Sequence, residues 1–95
     1  MVKPDAECKS EDERLYDEND ERYFNNVWEC ADACQEIRDC KYFIYGKGAN
    51  EGDCFWEKTE SADCPEGWYE DDKYDFYEII SKLTSDKLIE FLGYN

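Results

Sequence analysis

The fold is decided by residues 27–59, which read VWECADACQEIRDCKYFIYGKGANEGDCFWEKT. The first part predicts a helix at about residues 27–38, because apolar side chains recur at helical spacing. They are Trp28, Ala31, Cys34 and Ile37. Asn26 is a suitable N-cap, since its side-chain oxygen can accept the otherwise unpaired amide of Glu29. Cys30 and Cys34 lie one turn apart with parallel Cβ vectors, so we expect each to bond to another element.

Two strands follow in the same stretch. The run Cys40-Lys-Tyr-Phe-Ile-Tyr45 is aromatic and β-branched, which is typical of a strand. Residues 46–52 contain three glycines and predict a hairpin loop, and residues 53–59 form the returning strand. Further along, residues 73–80 are a third strand candidate. Its alternation places one set of apolar side chains on one face, namely Tyr74, Phe76 and Ile80.

The segments on either side divide the chain. We expect residues 1–13 to form a polar N-terminal arm and residues 14–80 to form the domain. Residues 81–95 are expected to form an amphipathic C-terminal helix, because apolar residues such as Leu88 and Leu92 recur at helical spacing.

Composition restricts the function. The chain has 95 residues, of which 26 are acidic and 11 basic, with no histidine and a formal net charge of -15. This length supports one domain, and an aromatic content of 17% indicates a folded chain. So negative a charge argues against nucleic acid or an anionic membrane surface as a partner. No apolar run approaches the ~20 residues that span a bilayer, so direct membrane insertion is not expected.

Six cysteines in so short a chain predict a disulfide framework formed in an oxidising compartment. Zinc is the rival interpretation, but only Cys30 and Cys34 are close enough to suggest a metal-binding pair, and histidine is missing. We therefore expect a secreted or extracellular protein, or one in another oxidising lumen. The first seven residues lack the apolar core of a signal peptide, so an exported protein is expected here in processed form.

The pattern of residues 27–59 resembles the PAN/apple domain family. The resemblance is carried by the Cys-x3-Cys-x5-Cys spacing that ends at Cys40, the aromatic strand that follows, and Cys54 on its hairpin partner. The closing Tyr74-Asp-Phe-Tyr-Glu-Ile79 also looks like the last strand of such modules, and the match covers about residues 8–80. It implies a small disulfide-rich α+β module, in which one main helix packs on a curved antiparallel sheet.

The same resemblance implies two disulfides that tie the helix to the sheet, Cys30–Cys54 and Cys34–Cys40. The remaining cysteines, Cys8 and Cys64, are then expected to pair and to tie the N-terminal arm to the domain. In this family the last cysteine usually follows the last strand, whereas Cys64 precedes it.

Catalysis and bound cofactors are not expected. A cysteine nucleophile needs an unpaired thiolate beside a base, and this chain has an even number of cysteines and no histidine. Close pairs of carboxylates arise by chance among 26 acids, and a small domain offers little room for a glycosidase cleft.

Two acidic segments are weak candidates for a cation site. Asp17-x-Asn19-x-Glu21 resembles the start of an EF-hand loop, but Arg22 replaces the required glycine and Trp28 the bidentate glutamate. The other segment comprises Glu70, Asp71, Asp72 and Asp75, which follow no motif. A solvated acidic face is the simpler interpretation of both, so no metal site is predicted.

Aromatic rings beside acids suit carbohydrate binding, since a ring stacks on the apolar face of a pyranose while carboxylates accept hydrogen bonds from its hydroxyls. Trp68 and Tyr69 are the best candidates for exposed rings. Eight other aromatic side chains are expected in the core, because aliphatic residues are few before residue 79. They are Trp28, Tyr42, Phe43, Tyr45, Phe55, Trp56, Phe76 and Tyr77.

The PAN/apple resemblance implies a non-catalytic recognition or adhesion module of the extracellular type, which binds a protein or a carbohydrate. The alternative is a structural subunit of a larger assembly, either an extracellular filament or the lumenal side of a membrane complex. Such a subunit would dock through its acidic face and its C-terminal helix. The expected contact surface comprises Trp68, Tyr69, Glu70, Asp71, Asp72, Leu88 and Leu92.

Overall fold

The structure is a computed structural model that describes residues 1–17, 19 and 21–79. This part of the chain is an α+β fold with one α-helix, six strands and a 3-10 turn at Gly48–Asn50. In chain order the elements are β1 (Ala6–Cys8), β2 (Asp12–Arg14), α1 (Val27–Gln35), β3 (Tyr42–Gly46), β4 (Cys54–Glu57), β5 (Trp68–Glu70) and β6 (Tyr74–Glu78). The predicted C-terminal helix at 81–95, with Leu88 and Leu92, lies outside the described residues.

The main sheet has four antiparallel strands in the order β2-β4-β3-β6. β3 is buried along its whole length, as expected for a central strand with a continuous apolar run. Its register places Ile44 opposite Phe55 of β4 on one side and opposite Phe76 of β6 on the other. The predicted bounds of β3, β4 and β6 agree with the observed ones to within two residues.

A two-stranded ribbon of β1 and β5 lies outside this sheet. Ala6 pairs with Glu70 and Cys8 with Trp68, and Lys3 forms a bridge to Phe76 of β6. Part of the arm predicted at 1–13 is therefore within the fold, since both β1 and β2 pair with later strands. Main-chain hydrogen bonds hold these three-residue strands in place, and such bonds leave no pattern in the side chains.

The core has two layers, one on each face of the main sheet. Alternation along β3 directs Phe43 and Tyr45 toward the helix, and Tyr42 and Ile44 toward the ribbon. The helix-side layer contains Leu15, Phe24, Cys30, Cys34, Cys40, Phe43, Tyr45 and Cys54. The ribbon-side layer contains Cys8, Tyr42, Ile44, Cys64, Tyr74 and Phe76. The aromatic core that the composition predicts is thus present in both layers.

Three disulfides are formed by buried cysteines, two within the helix-side layer and one within the ribbon-side layer. Their pairs are Cys30–Cys54, Cys34–Cys40 and Cys8–Cys64, the same pairs that the sequence section sets out. The first joins α1 to β4, the second closes the loop between α1 and β3, and the third joins β1 to the loop before β5. Three such bonds indicate an oxidising environment.

Helix α1 begins as the capping residues predict. The Asn26 side chain accepts a hydrogen bond from the Glu29 amide at 3.0 Å. Glu29 in turn accepts one from the Asn25 amide at 3.4 Å, so the reciprocal bond reaches one residue further back than in the standard capping box. The helix ends at Gln35 rather than near 38, because the chain must turn to bring Cys40 to its disulfide partner.

The prediction that Trp28 lies in the core is wrong, because this side chain is 75% exposed. The disulfide of Cys30 fixes which face of the nine-residue helix is buried. Residue 28 lies about 200° around the helix axis from residue 30, so its side chain points away from the sheet. The face of the helix that carries Cys30 and Cys34 is therefore the buried one.

Candidate functional site

The two aromatic residues predicted to be exposed, Trp68 and Tyr69, differ in their solvent exposure in the structure. Trp68 is half-buried and packs edge-to-face on Phe76, with ring centroids 4.9 Å apart, while Lys3 Nζ lies 5.6 Å from its ring centroid. Tyr69 is 57% exposed, with Lys9 Nζ 5.1 Å from its ring. Tyr69 is thus open to a ligand, whereas the Trp68 ring mainly completes the ribbon-side core.

Of the acidic residues after Tyr69, Glu70, Asp71 and Asp72 line one groove, whereas Asp75 does not. Asp75 pairs with Lys47 at 2.8 Å and accepts the Asp5 amide at 2.9 Å, so its carboxylate is already engaged. Glu70 and Asp72 are exposed, and a groove of about 570 Å³ beside them is also lined by lysines 3 and 73. Positive charge is therefore mixed into this predicted acidic surface, and the cation candidates Asp71, Asp72 and Asp75 are not brought together.

A second groove, of about 490 Å³, lies between the segment before the helix and α1. We call it the helix-side groove. The segment contributes Tyr16, Asp17, Asn19, Phe24 and Asn25, and the helix with its C-cap contributes Glu29, Asp32, Ala33 and Glu36. Phe24 is buried and Tyr16 is 52% exposed, so the groove has a buried apolar side chain and an open aromatic wall.

Hydrogen bonds to main-chain groups hold the wall of this groove in place. Asp17 Oδ1 accepts the amides of Asn19 and Glu21, both at 2.8 Å, which closes a tight loop. The Tyr45 hydroxyl donates to the Phe24 carbonyl at 3.0 Å, and the Phe24 amide donates to the carbonyl of residue 52 at 2.9 Å. The segment is thereby anchored to the main sheet, so the groove is preformed.

The helix-side groove is strongly negative. Glu29, Asp32 and Glu36 follow one another at helical spacing along its floor, and no lysine or arginine is among the described residues that line it. Partial burial, with the negative charges of Glu36 and Glu29, raises the pKa of Asp32 above its ordinary value. The groove therefore offers several carboxylate oxygens beside an aromatic ring to a cationic or hydroxyl-rich ligand.

The helix-side groove is missing from the surface predicted on sequence grounds. Its helix residues Glu29, Asp32 and Glu36 are exposed, as their spacing opposite the buried cysteines requires. The segment 16–25 shows no regular pattern, and its path beside the helix is set by contacts with residues of β4 and the hairpin. The acidic character of the helix and of the segment before it is thus visible in the sequence, but the groove between them is not.

A third feature is a group of carboxylates on the other side of the molecule, Glu7 of β1, Asp12 of β2 and Glu57 of β4. We call it the carboxylate cluster. One oxygen from each residue lies within 4.8 Å of the others. Burial, together with the charges of Asp12 and Glu7, raises the pKa of Glu57 to about 8. Burial and the neighbouring Asp71 raise the pKa of Glu7 to about 7.

Comparison with family models, with known proteins and with solved structures finds no significant match to this chain. Among the described residues, no helix has both the length and the apolar character needed to cross a membrane.

Proposed function

We propose that the chain is a non-catalytic recognition module of the PAN/apple type, in an extracellular or other oxidising space, that binds a basic segment of a partner protein in the helix-side groove. The observation that carries this proposal is the row of carboxylates at Glu29, Asp32 and Glu36, with no basic residue among the described residues that line the groove. Unpaired charge of one sign in a groove concentrates ligands of the opposite sign and speeds their association.

The chemistry of the groove suits lysine and arginine side chains. Carboxylates form charge-assisted hydrogen bonds with ammonium and guanidinium groups, and the exposed ring of Tyr16 offers a face for a cation–π contact. The wall is anchored to the sheet by hydrogen bonds of Phe24, so little ordering is required on binding. Three disulfides fit a binding domain that must keep its shape without a large core.

A glycan is the second candidate, and it is favoured by a specific combination of side chains. Tyr16 can stack on a pyranose ring, while the amides of Asn19 and Asn25 and the carboxylate of Glu29 can bind its hydroxyl groups. A neutral glycan needs no positive charge, so its affinity should depend little on ionic strength. Salt dependence therefore separates the two candidates.

The test is titration of the oxidised chain with a short oligolysine peptide and, separately, with a set of neutral oligosaccharides, followed by amide NMR shifts. The variant Asp32→Asn/Glu36→Gln is compared with Glu11→Gln/Glu60→Gln, which removes the same charge from exposed residues outside the groove. We expect the groove variant to weaken peptide binding roughly tenfold and the control to weaken it less than about twofold.

Peptide binding should also weaken as salt rises from ~0.05 to ~0.5 M, because the charges are exposed to solvent. Equal losses in the two double variants would contradict the proposal, since binding would then follow net charge alone. Shifts in the groove with an oligosaccharide, and none with the peptide, would favour the glycan.

The alternative function, a structural subunit of a larger assembly, depends on the C-terminal helix and stays a prediction. Its apolar contacts at Leu88 and Leu92 lie outside the described residues. The double variant Leu88→Asp/Leu92→Asp of the full chain should lose a native partner while its far-UV circular dichroism is unchanged. Unfolding of that variant would instead assign these leucines to the fold of the chain.

A further inference from the structure

The carboxylate cluster begins with an unfavourable strand pairing. The β2–β4 register places Asp12 directly opposite Glu57, so both side chains leave the sheet on the same face. Like charges directly opposite each other on neighbouring strands destabilise a sheet. Glu7 of the ribbon brings a third carboxylate to the same point, with one oxygen of each residue within 4.8 Å of the others. Such an arrangement requires a positive charge or shared protons to be stable.

Glu57 is the residue that points to a ligand. Its side chain is completely buried, with 0% relative exposure. Oε1 accepts a hydrogen bond from the Ser10 hydroxyl at 2.9 Å, but Oε2 has no hydrogen-bond partner among the described residues. A buried acceptor without a partner costs about 1–3 kcal/mol or more when it carries charge. A cation bound between the three carboxylates would supply the missing partner.

We propose that Glu7, Asp12 and Glu57 form a Ca²⁺ site that joins the ribbon to the main sheet. The ligands are all oxygen, which hard cations prefer. Two oxygens bound to one Ca²⁺ ion at 2.3–2.6 Å can be up to about 5 Å apart, so the observed spacing of 4.8 Å or less fits one ion.

Mg²⁺ fits less well, because it requires shorter bonds in near-ideal octahedral geometry and gives up its water reluctantly. Zn²⁺ prefers nitrogen and sulfur ligands, and the cysteines near Glu66 that might offer sulfur, Cys8 and Cys64, are joined in a disulfide. The three carboxylates range from buried Glu57 to exposed Asp12, which leaves a path for the ion and room for water to complete its coordination. The site shares no residue with the helix-side groove, and Glu7 places it next to Asp71 of the predicted acidic surface.

The proposal is tested by titrating CaCl2 into the oxidised full chain in chelator-treated buffer, with calorimetry and thermal unfolding as readouts. We expect one saturable site with a dissociation constant of about 10⁻⁴–10⁻³ M, as in extracellular calcium modules, and a rise of the melting temperature with CaCl2. MgCl2 should bind at least about tenfold more weakly.

The variant Asp12→Asn should lose at least about tenfold in Ca²⁺ affinity and most of the rise in melting temperature. Because it removes one of two opposed charges, it should fold without calcium at least as well as the parent chain. The matched control is Glu11→Gln, an exposed acid next to the site, which should keep its affinity within about twofold.

Two results would overturn the proposal. One is the absence of saturable binding up to about 10 mM CaCl2, which is well above the range of extracellular modules. The other is an equal loss of affinity in Asp12→Asn and Glu11→Gln, which would show diffuse attraction by the acidic surface. In both cases shared protons, and not a metal ion, stabilise the cluster.

Discussion

Replacing Glu57 with glutamine should change how stability depends on pH. The ordinary pKa of the Glu57 carboxyl is 4.5, and burial in the folded protein raises it to about 8. Below pH 4.5 both the folded and the unfolded chain hold the proton, so there is no free-energy penalty for burying an ionised carboxylate. Between these values the unfolded chain has released the proton that the folded chain still holds, so folding stability falls as pH rises. Above pH 8 the penalty is complete and constant.

The size of this penalty follows from the pKa difference. Each pKa unit corresponds to about 1.4 kcal/mol, so the shift from 4.5 to about 8 is worth roughly 4–5 kcal/mol. Local opening that admits water to the carboxylate lowers the penalty, and we expect about 2–4 kcal/mol. The variant Glu57→Gln resembles the protonated form and cannot ionise. Its free energy of unfolding, relative to the parent chain, should therefore rise by about 2–4 kcal/mol between pH 4 and pH 9.

The assay is urea unfolding of the oxidised chain, followed by circular dichroism from pH 4 to pH 9 in calcium-free buffer. The control Glu60→Gln removes an exposed carboxylate and should shift the whole profile without changing its slope. Comparing variants cancels the general repulsion of a chain with net charge -15. Parallel profiles for the parent chain and Glu57→Gln would refute the reasoning, because Glu57 would then ionise as freely in the folded chain as in the unfolded one.

Three further predictions concern a disulfide, the hairpin turn and a buried hydrogen bond. Replacing both Cys8 and Cys64 with alanine should lower the free energy of unfolding by roughly 4 kcal/mol, because this disulfide closes a loop with a sequence separation of 56. A loss below about 1 kcal/mol in urea unfolding would contradict this prediction. Gly46→Ala should destabilise the hairpin by about 3 kcal/mol or more, because its Cβ would lie 1.9 Å from the Asn50 carbonyl oxygen; an unchanged melting temperature would show that the turn relaxes. Tyr45→Phe should lower the free energy of unfolding by about 1 kcal/mol, because its hydrogen bond to a main-chain carbonyl is lost. An unchanged urea midpoint would show that this bond does not contribute to stability.

The centre of the fold could be predicted from sequence because its signals are local. The cap at Asn26, the apolar run through β3 and the glycine-rich loop each depend on neighbours within a few residues. The ribbon could not be predicted, because Ala6–Cys8 and Trp68–Glu70 pair across more than fifty residues of sequence. Three-residue strands have too few positions for an alternation pattern to be recognised.

The sites were harder to predict than the fold for the same physical reason. Acids that lie near one another in the sequence have different partners, since Asp71 interacts with Glu7 and Asp75 pairs with Lys47. Acids that meet in space, such as Asp12 and Glu57, are far apart in the sequence and come together through the register of β2 and β4. Charge clustering in the sequence therefore does not show which acids lie together in the folded chain.

The formal charge of -15 divides into parts with different roles. Asp5, Asp53 and Asp75 are paired with basic side chains, so ion pairs within the fold largely neutralise their charge. Glu57 holds its proton near neutral pH because its pKa is about 8, so the folded chain is less negative than its composition suggests. Of the remaining charges, those of Asp17, Glu29, Asp32 and Glu36 line the helix-side groove, where the described residues offer no basic partner. A variant of the groove should therefore alter association with a basic ligand and leave calcium binding unchanged, whereas a variant of the carboxylate cluster should do the reverse.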